Sequence, residues 1–130
     1  MAAIDQTDAD NIINAQLRDV AYTTVTATKI RLGTNAPTAT VDMSELSGSG
    51  YTTGGSSISW NAASGGATSN SGSVSWTNGG STWSIVGLEI WDTAESPLRH
   101  LYGTWTGQPI SVAGSNVFAV AAAGIAYSLG

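Results

Sequence analysis

Residues 57–81 read SISWNAASGGATSNSGSVSWTNGGS, and the tetrapeptide SISW at 57–60 returns as SVSW at 73–76. In both copies an apolar residue alternates with serine, and this period of two is typical of a β-strand. Glycine and small polar residues join the copies, as in the connections between strands. The stretch therefore predicts two adjacent strands that turn their larger side chains toward the core: Ile58, Trp60, Val74 and Trp76.

Further strands follow from the same alternation and from the turn residues that interrupt it. They are predicted at 28–32, 38–43, 83–91, 100–106, 110–112, 117–122 and 125–129. Segment 83–91 carries apolar residues on both faces, which is typical of a strand in the centre of a sheet. About eight short antiparallel strands separated by turns predict an all-β fold, a jelly-roll-like β-sandwich.

One short amphipathic helix is predicted near the N-terminus, at residues 7–22. Its apolar face is formed at helical spacing by Ile13, Leu17, Val20 and Ala21. Thr7 or Asp8 is the expected N-cap. We therefore divide the chain into an N-terminal arm and helix at 1–24 and a β-sandwich domain at 25–130. The apolar face is expected to lie on the domain's own sheet or on a neighbouring subunit.

The composition and net charge of the chain argue against nucleic acid and membranes as partners. The 130 residues carry a formal charge of −5, only four lysines and arginines, and no cysteine. So few cations cannot neutralise a run of phosphates, which argues against a nucleic-acid partner. The longest apolar run is too short to cross a bilayer, no polybasic anchor is present, and the N-terminus lacks the pattern of a secretory signal. Disulfide and thiolate chemistry are excluded.

Groups that could carry catalysis are few. His100 is the single histidine, no nucleophile elbow lies near it, and we predict that it is a strand residue at a surface or subunit contact. Zinc would need several His or Cys ligands, and Asp92 with Glu95 forms no calcium loop. Glu89 and Asp92 should point to opposite faces of a strand, unlike a glycosidase pair. We therefore predict no catalytic residue, no metal site and no cofactor.

The five tryptophans allow two interpretations. Flat indole rings could form a platform for sugars. Their alternation with aliphatic residues instead favours burial in the core or at an interface. If this region binds a ligand, the polar connection between the two SISW-like copies is the expected place. Its candidate residues are Asn61, Ser64, Asn70 and Ser71.

Six segments carry a resemblance to a known group of proteins. They are DADNIINAQLRDVAYTT, TKIRLGTNAPTAT, SGSGYT, ISWNAASGGATSNSGSVSWT, IVGLEIWDTAESPLRHLYGTWT and ISVAGSNVFAVAAAGIAYSL. In this order they resemble small virion proteins of tailed phages that infect actinobacteria, labelled tail-fibre-like, head-fibre or capsid decoration proteins. The resemblance covers nearly the whole chain and is most distinctive from 57 to 105.

The resemblance implies a non-enzymatic structural protein that trimerises on the outside of a virion, after synthesis in the host cytoplasm. Our first hypothesis is a capsid decoration or head-fibre subunit in which Ile13, Leu17 and Val20 contact the major capsid protein, another virion protein or neighbouring subunits. The second is a minor tail or tail-fibre subunit in which exposed tryptophans and loop residues such as Asn61 and Asn70 bind host-surface glycans. A third, a free glycosidase or esterase, requires a cleft with two convergent acids.

Overall fold

The computed structural model describes residues 2–22, 25 and 27–129. One helix and eleven strands alternate with turns along this part of the chain. In chain order they are β1 (Ala3–Ile4), α1 (Gln6–Leu17), β2 (Thr28–Gly33), β3 (Ser56–Ile58), β4 (Ala67–Ser69), β5 (Val74–Thr77), β6 (Trp83–Ile85), β7 (Gly87–Asp92), β8 (Arg99–Thr104), β9 (Ile110–Val112), β10 (Val117–Val120) and β11 (Ala126–Ser128). The predicted domain boundary after residue 24 lies outside the described residues.

The largest sheet has five antiparallel strands in the order β1-β8-β7-β2-β3. In β2 the predicted alternation is present, because Ile30 and Leu32 are buried while Lys29 and Arg31 are half-buried on the other face. The edge strand β1 comes from the first residues of the predicted arm, and Ala2 beside it is buried in the core. The sheet therefore includes the start of the chain.

Three two-stranded antiparallel ribbons complete the fold: β5 with β10, β4 with β11, and β6 with β9. Side chains from the sheet and the ribbons meet in one core. Its largest fully buried apolar side chains are Ile30, Leu32, Ile85 and Ile90. This arrangement confirms the predicted all-β sandwich with one N-terminal helix, built from eleven short strands rather than about eight.

The two SISW-like copies do not pair with each other, so the predicted adjacency was wrong. The strand of the first copy, β3, pairs with β2, and that of the second copy, β5, pairs with β10. Between them the chain folds back at residues 64–67 and adds β4 to β11. Ile58 and Trp76 are buried as predicted, but in different sheets, whereas Trp60 is half-buried and bridges to Asn70.

Segment 83–91 is not one central strand but two strands in different sheets. The chain leaves the β6–β9 ribbon at Val86 and enters the five-stranded sheet as β7. Glu89 and Trp91 then face away from the core, and Glu89 is buried there by the segment that follows β2. Burial on both faces was predicted correctly, but its cause is the change of sheet and the covering loop.

Candidate functional site: the N-terminal helix and its attachment

Helix α1 begins on the edge of the five-stranded sheet. Asp5 directly follows β1 with extended backbone angles, and its Oδ1 accepts a hydrogen bond from the Thr7 amide at 2.8 Å. The Asp5 amide in turn donates to the carbonyl of His100 in β8 at 2.8 Å. Asp5 is therefore the N-cap, and the expected Thr7 or Asp8 cap was wrong because β1 fixes the start of the helix earlier.

Arg99 in β8 joins this helix start to the outer face of the sheet. Its Nε and Nη2 donate to Oδ2 of Asp5 at 2.8 and 2.7 Å, and its Nη1 donates to Oε1 of Glu89 at 2.9 Å. The remaining donors bond to the carbonyls of Val41 and Thr38. A guanidinium has five N–H donors, so every one of them is used. Burial would lower the pKa of Arg99, but the bonds to Asp5 and Glu89 raise it.

The same guanidinium explains why the strand predicted at 38–43 does not form. This segment is a series of bends, and its carbonyls at Thr38 and Val41 turn toward Arg99 instead of toward a neighbouring strand. The Met43 amide donates to Glu89 at 2.8 Å. A buried side chain with many donors has thus replaced the hydrogen bonds of a β-ladder.

A second polar group, which we call the clamp, consists of Asp8, His100 and Asp92. His100 Nδ1 lies 3.0 Å from Oδ2 of Asp8 in α1, and Nε2 lies 3.0 Å from Oδ2 of Asp92 in β7. The three side chains are 10–12% exposed. Tyr22 donates its hydroxyl to the other oxygen of Asp8 at 2.6 Å. The clamp therefore ties the helix to the β7–β8 pair.

The electrostatics of the clamp favour its charged form. The hydrogen bond to Asp8 raises the pKa of His100 above its ordinary 6.5, against the effect of burial and with a further contribution from Asp92. Burial would raise the pKa of Asp8 and of Asp92, but the hydrogen bonds from His100 bring both pKa values below 3.8. Burial and the bond to Asp8 raise the pKa of Tyr22.

His100 was predicted to be a strand residue at a surface or subunit contact. It lies in β8, as predicted, but its side chain is half-buried and both ring nitrogens contact carboxylates of the same chain, so the open surface position was wrong. A subunit contact stays a prediction. Asp8 is far from His100 in sequence, and Asp92 lies across the turn between β7 and β8. The alternation of residues in the strand could not predict either contact. Because both ring nitrogens bond to carboxylates, neither is free to take a proton from a nucleophile. Glu89 and Asp92 belong to the two different clusters, with Arg99 and with His100 respectively.

Three apolar side chains in and just after the helix face outward, whereas Ile12 is half-buried. Exposed fractions are 51% for Ile13, 79% for Leu17 and 48% for Val20, and we call these three residues the apolar ridge. Asp8 is the one buried residue of α1. The helix ends at Leu17, before Val20, and Asp19 adopts a positive φ of 55°. Of the two places expected for the apolar face, the domain's own sheet is therefore wrong.

The polar loop predicted as a binding site is only partly exposed. Asn61, Ser64 and Ser71 are exposed, but Asn70 has no exposed surface and must be removed from the set. Its carboxamide donates to the carbonyls of Gly72 and Ala121 at 2.7 and 2.9 Å and accepts from the Ile125 amide at 2.8 Å. Asn70 thus fixes the base of the loop and leaves the tip to solvent.

Asn78 performs the same task at another connection and was missed by the sequence analysis. Its carboxamide donates to the carbonyls of Ser81 and Val112, each at 2.8 Å, and accepts from the Gly80 amide. Both asparagines precede glycine within two residues, a pattern that indicates an Asx-type turn. This spacing predicts the turn, but it does not predict the hydrogen bonds to the distant carbonyls of Ala121 and Val112.

The tryptophans are used in packing rather than as an open platform. Trp76 and Trp83 are buried, as the core interpretation predicted. Phe118 stacks on Trp76 and meets Trp105 edge to face, with ring centroids 5.9 and 5.3 Å apart. Three are half-buried and donate their indole N–H within the chain: Trp60, Trp91 and Trp105.

Two further tests concern metals and membranes. Across residues 2–22, 25 and 27–129, no three acidic or histidine side chains come together in a way that could hold a metal ion. In the same part of the chain, the helix lacks the length and apolar character required to cross a bilayer.

Comparison with known proteins identifies the family. The family described as "Podophage GP4 fiber I protein gp80" has a model that matches residues 3–128, which is almost the entire chain. A search of curated proteins finds no match. The matched range includes α1, the clamp and every strand of the sandwich. The chain belongs to this family, and it is therefore a structural fibre protein of a phage and a component of the virion.

Proposed function

We propose that the chain is a subunit of a homotrimeric head fibre, attached to the outer surface of the capsid through α1. The observation that carries the proposal is the apolar ridge. Ile13 and Leu17 project from a helix whose first turn is fixed by two polar clusters. Burying such side chains against a partner is favourable, and their exposure in the single chain leaves that contact available.

A repeated virion surface strengthens a weak contact of this kind. Three copies joined around one axis would present three ridges to the shell, and simultaneous binding raises the apparent affinity above that of one helix. The partners would be the major capsid protein or another virion protein, together with neighbouring copies of the chain. The absence of cysteine suits a protein assembled in the reducing host cytoplasm.

Re-binding to particles tests this proposal. Purified chain is added to particles from which it has been deleted, and its bound amount and position are measured by quantitative blotting and cryo-EM. The double variant Ile13→Ser/Leu17→Ser should lose at least about tenfold in particle affinity. Val117→Ser is the matched control, because Val117 is 57% exposed on β10, away from α1.

Folding and oligomeric state are read on the same variants. Because Ile13 and Leu17 are exposed, the double variant should keep the unfolding midpoint of the wild type. Sedimentation equilibrium should find a trimer for the wild type and for Val117→Ser. Undiminished binding of the double variant would show that α1 is not the anchor. A monomer at all accessible concentrations would remove the trimer from the proposal.

The second candidate is a tail-fibre subunit that binds host-surface glycans. It is favoured by the exposed residues Asn61, Ser64 and Ser71, which lie near buried Asn70 and its hydrogen bonds to Ala121 and Ile125. The test is glycan-array or cell-wall binding by the wild type and by the triple variant Asn61→Ala/Ser64→Ala/Ser71→Ala. Binding lost in the triple variant with folding retained supports this candidate, and particle cryo-EM showing the chain on the tail would replace the head assignment.

A further inference from the structure

The clamp holds the first turn of α1 to the β7–β8 pair, next to the N-cap at Asp5. Asp8 is the one buried residue of the helix, and it is held by His100 and Tyr22. No residue of α1 after Asp8 is buried, although Ile12 and Ala15 are half-buried. The clamp is therefore the last buried side-chain contact before the half of the helix that carries Ile13 and Leu17.

The clamp requires a proton on both ring nitrogens. A carboxylate accepts hydrogen bonds but cannot donate them, and His100 meets a carboxylate on each side at 3.0 Å. Only the imidazolium form carries two N–H donors. The neutral ring keeps one donor, so the nitrogen that has lost its proton faces an oxygen with no hydrogen between them, and that contact becomes repulsive.

Asp8 and Asp92 differ in the hydrogen bonds that remain to them when His100 loses a proton. Oδ1 of Asp92 accepts the amides of Ala94 and Leu98, each at 3.1 Å, within the same connection between β7 and β8. Asp8 keeps only Tyr22, which follows the helix, and can move with it. We therefore expect the remaining N–H to stay with Asp92, and the bond between Asp8 and His100 to break.

We propose that Asp8, His100 and Asp92 form a proton-operated latch, in which a proton on His100 locks α1 against the β7–β8 pair and its release frees the helix. The latch thereby controls the orientation in which the apolar ridge is presented. The mechanism concerns the helix itself and holds whether or not the ridge binds a capsid, and only the consequence for attachment rests on the function proposed above.

The charged and titratable groups around the latch define its pH window. Asp8 lies on α1, Asp92 on β7 and Tyr22 after the helix. Tyr127 on β11 has its pKa raised by burial and then by Asp8. Arg99 precedes His100 in β8, but its guanidinium bonds to Asp5 and Glu89. Because the folded pKa of His100 is raised, its stabilising effect is complete below 6.5 and is lost as pH rises through that folded pKa. On the acid side, the effect of both aspartates is lost below 3.8, as pH falls through their lowered pKa values.

The single histidine makes the test direct. In the intact protein, the NMR shifts of His100 give its titration midpoint without assignment ambiguity, because the sequence contains one histidine. Hydrogen exchange of the α1 amides is followed between about pH 5 and about pH 9 and corrected for the intrinsic pH dependence. Protection of α1 should fall by at least about tenfold with the same midpoint as His100, while β7 stays protected as the internal reference.

Two variants test whether the protection of α1 depends on the contact between Asp8 and His100 or only on the charge of the helix. Asp8→Asn keeps the size of the side chain but removes the charge that holds the imidazolium, so α1 should lose protection already at the acid end and the His100 midpoint should fall. Asp10→Asn, an equal charge change at an exposed position of the same helix, should retain the wild-type transition.

Three outcomes overturn the proposal. They are α1 protection that does not vary with pH in the wild type, a change whose midpoint differs from that of His100, and parallel loss of protection in β7, which would indicate global unfolding. The wild-type titration decides the matter even if Asp8→Asn fails to fold. Failure of particle binding with an intact titration would contradict only the attachment function.

Discussion

Asn70 shows how one buried side chain can organise connections that are distant in sequence. It bonds to Ala121 and Ile125, which lie 51 and 55 positions further along the chain. The sequence around it contains small polar residues typical of an exposed loop, and this composition led to the wrong prediction that Asn70 is exposed. The correct role depends on partners that a local pattern cannot identify.

Replacing Asn70 by alanine should destabilise the protein strongly. The Ile125 amide would lose its buried partner, and we expect a loss of about 2 kcal/mol in the free energy of unfolding. Urea unfolding measures it. Asn61→Ala is the matched control, because Asn61 bonds through its side chain only to an exposed Ser69 hydroxyl. Equal stability of the two variants would contradict the role assigned to Asn70.

The positive charge of Arg99 alone does not account for its stabilising role, which also requires the five donors of the guanidinium. Lysine at this position would keep the positive charge but supply three donors in place of five. Arg99→Lys should therefore cost about 3 kcal/mol of unfolding free energy, because it leaves buried acceptors near Asp5 and Glu89 unpaired. Chemical unfolding checks this, with Arg18→Lys at the exposed end of α1 as the control. A cost similar to that of the control would show that the geometry of the guanidinium is unimportant.

At the scale of elements, the sequence predicted the strands more reliably than their pairing. The strands expected at 28–32 and 110–112 correspond to β2 and β9 almost residue for residue. Alternation reports which face of a strand is buried, but it says nothing about which partner lies beside it. The two SISW-like copies were therefore predicted to be adjacent strands, although β3 and β5 pair with β2 and β10.

The helix illustrates a second limit of sequence patterns. Its apolar spacing was recognised, but the pattern could not distinguish a face packed on the domain from a face left outward. Leu17 is 79% exposed because the contacts that hold α1 are polar and lie near its start. The clamp residues gave only weak signals, since Asp8 resembled a helix-start residue and His100 an ordinary strand residue.

The point where the chain changes sheet depends on a glycine. A Cβ at Gly87 would lie 2.7 Å from the carbonyl oxygen of Asn35 and 2.8 Å from Cδ of Pro37. Gly87→Ala should therefore displace the loop that covers Glu89 and cost about 2 kcal/mol, measured by thermal or urea unfolding. Gly72→Ala has open space around the added methyl and should have almost no effect. If Gly87→Ala is equally harmless, the close approach of these segments is not required.

For the whole molecule, we propose different roles for the sandwich and the helix. The sandwich forms one core from the sheet and three ribbons, while α1 remains outside it, attached by polar groups. This division fits a fibre protein that needs a rigid body and a separate means of attachment. The match to the fibre family supports the virion role, whereas the actinobacterial host suggested by the sequence remains a prediction.

Attachment of this fibre protein to the virion through the apolar ridge is the central claim. Cryo-EM of intact particles at side-chain resolution tests it most directly. We expect density for three copies around an axis on the capsid, with Ile13 and Leu17 of each copy covered by the shell or by a neighbouring copy. A reconstruction in which these side chains face solvent, and the chain meets the virion through the loops of the sandwich, would contradict the claim.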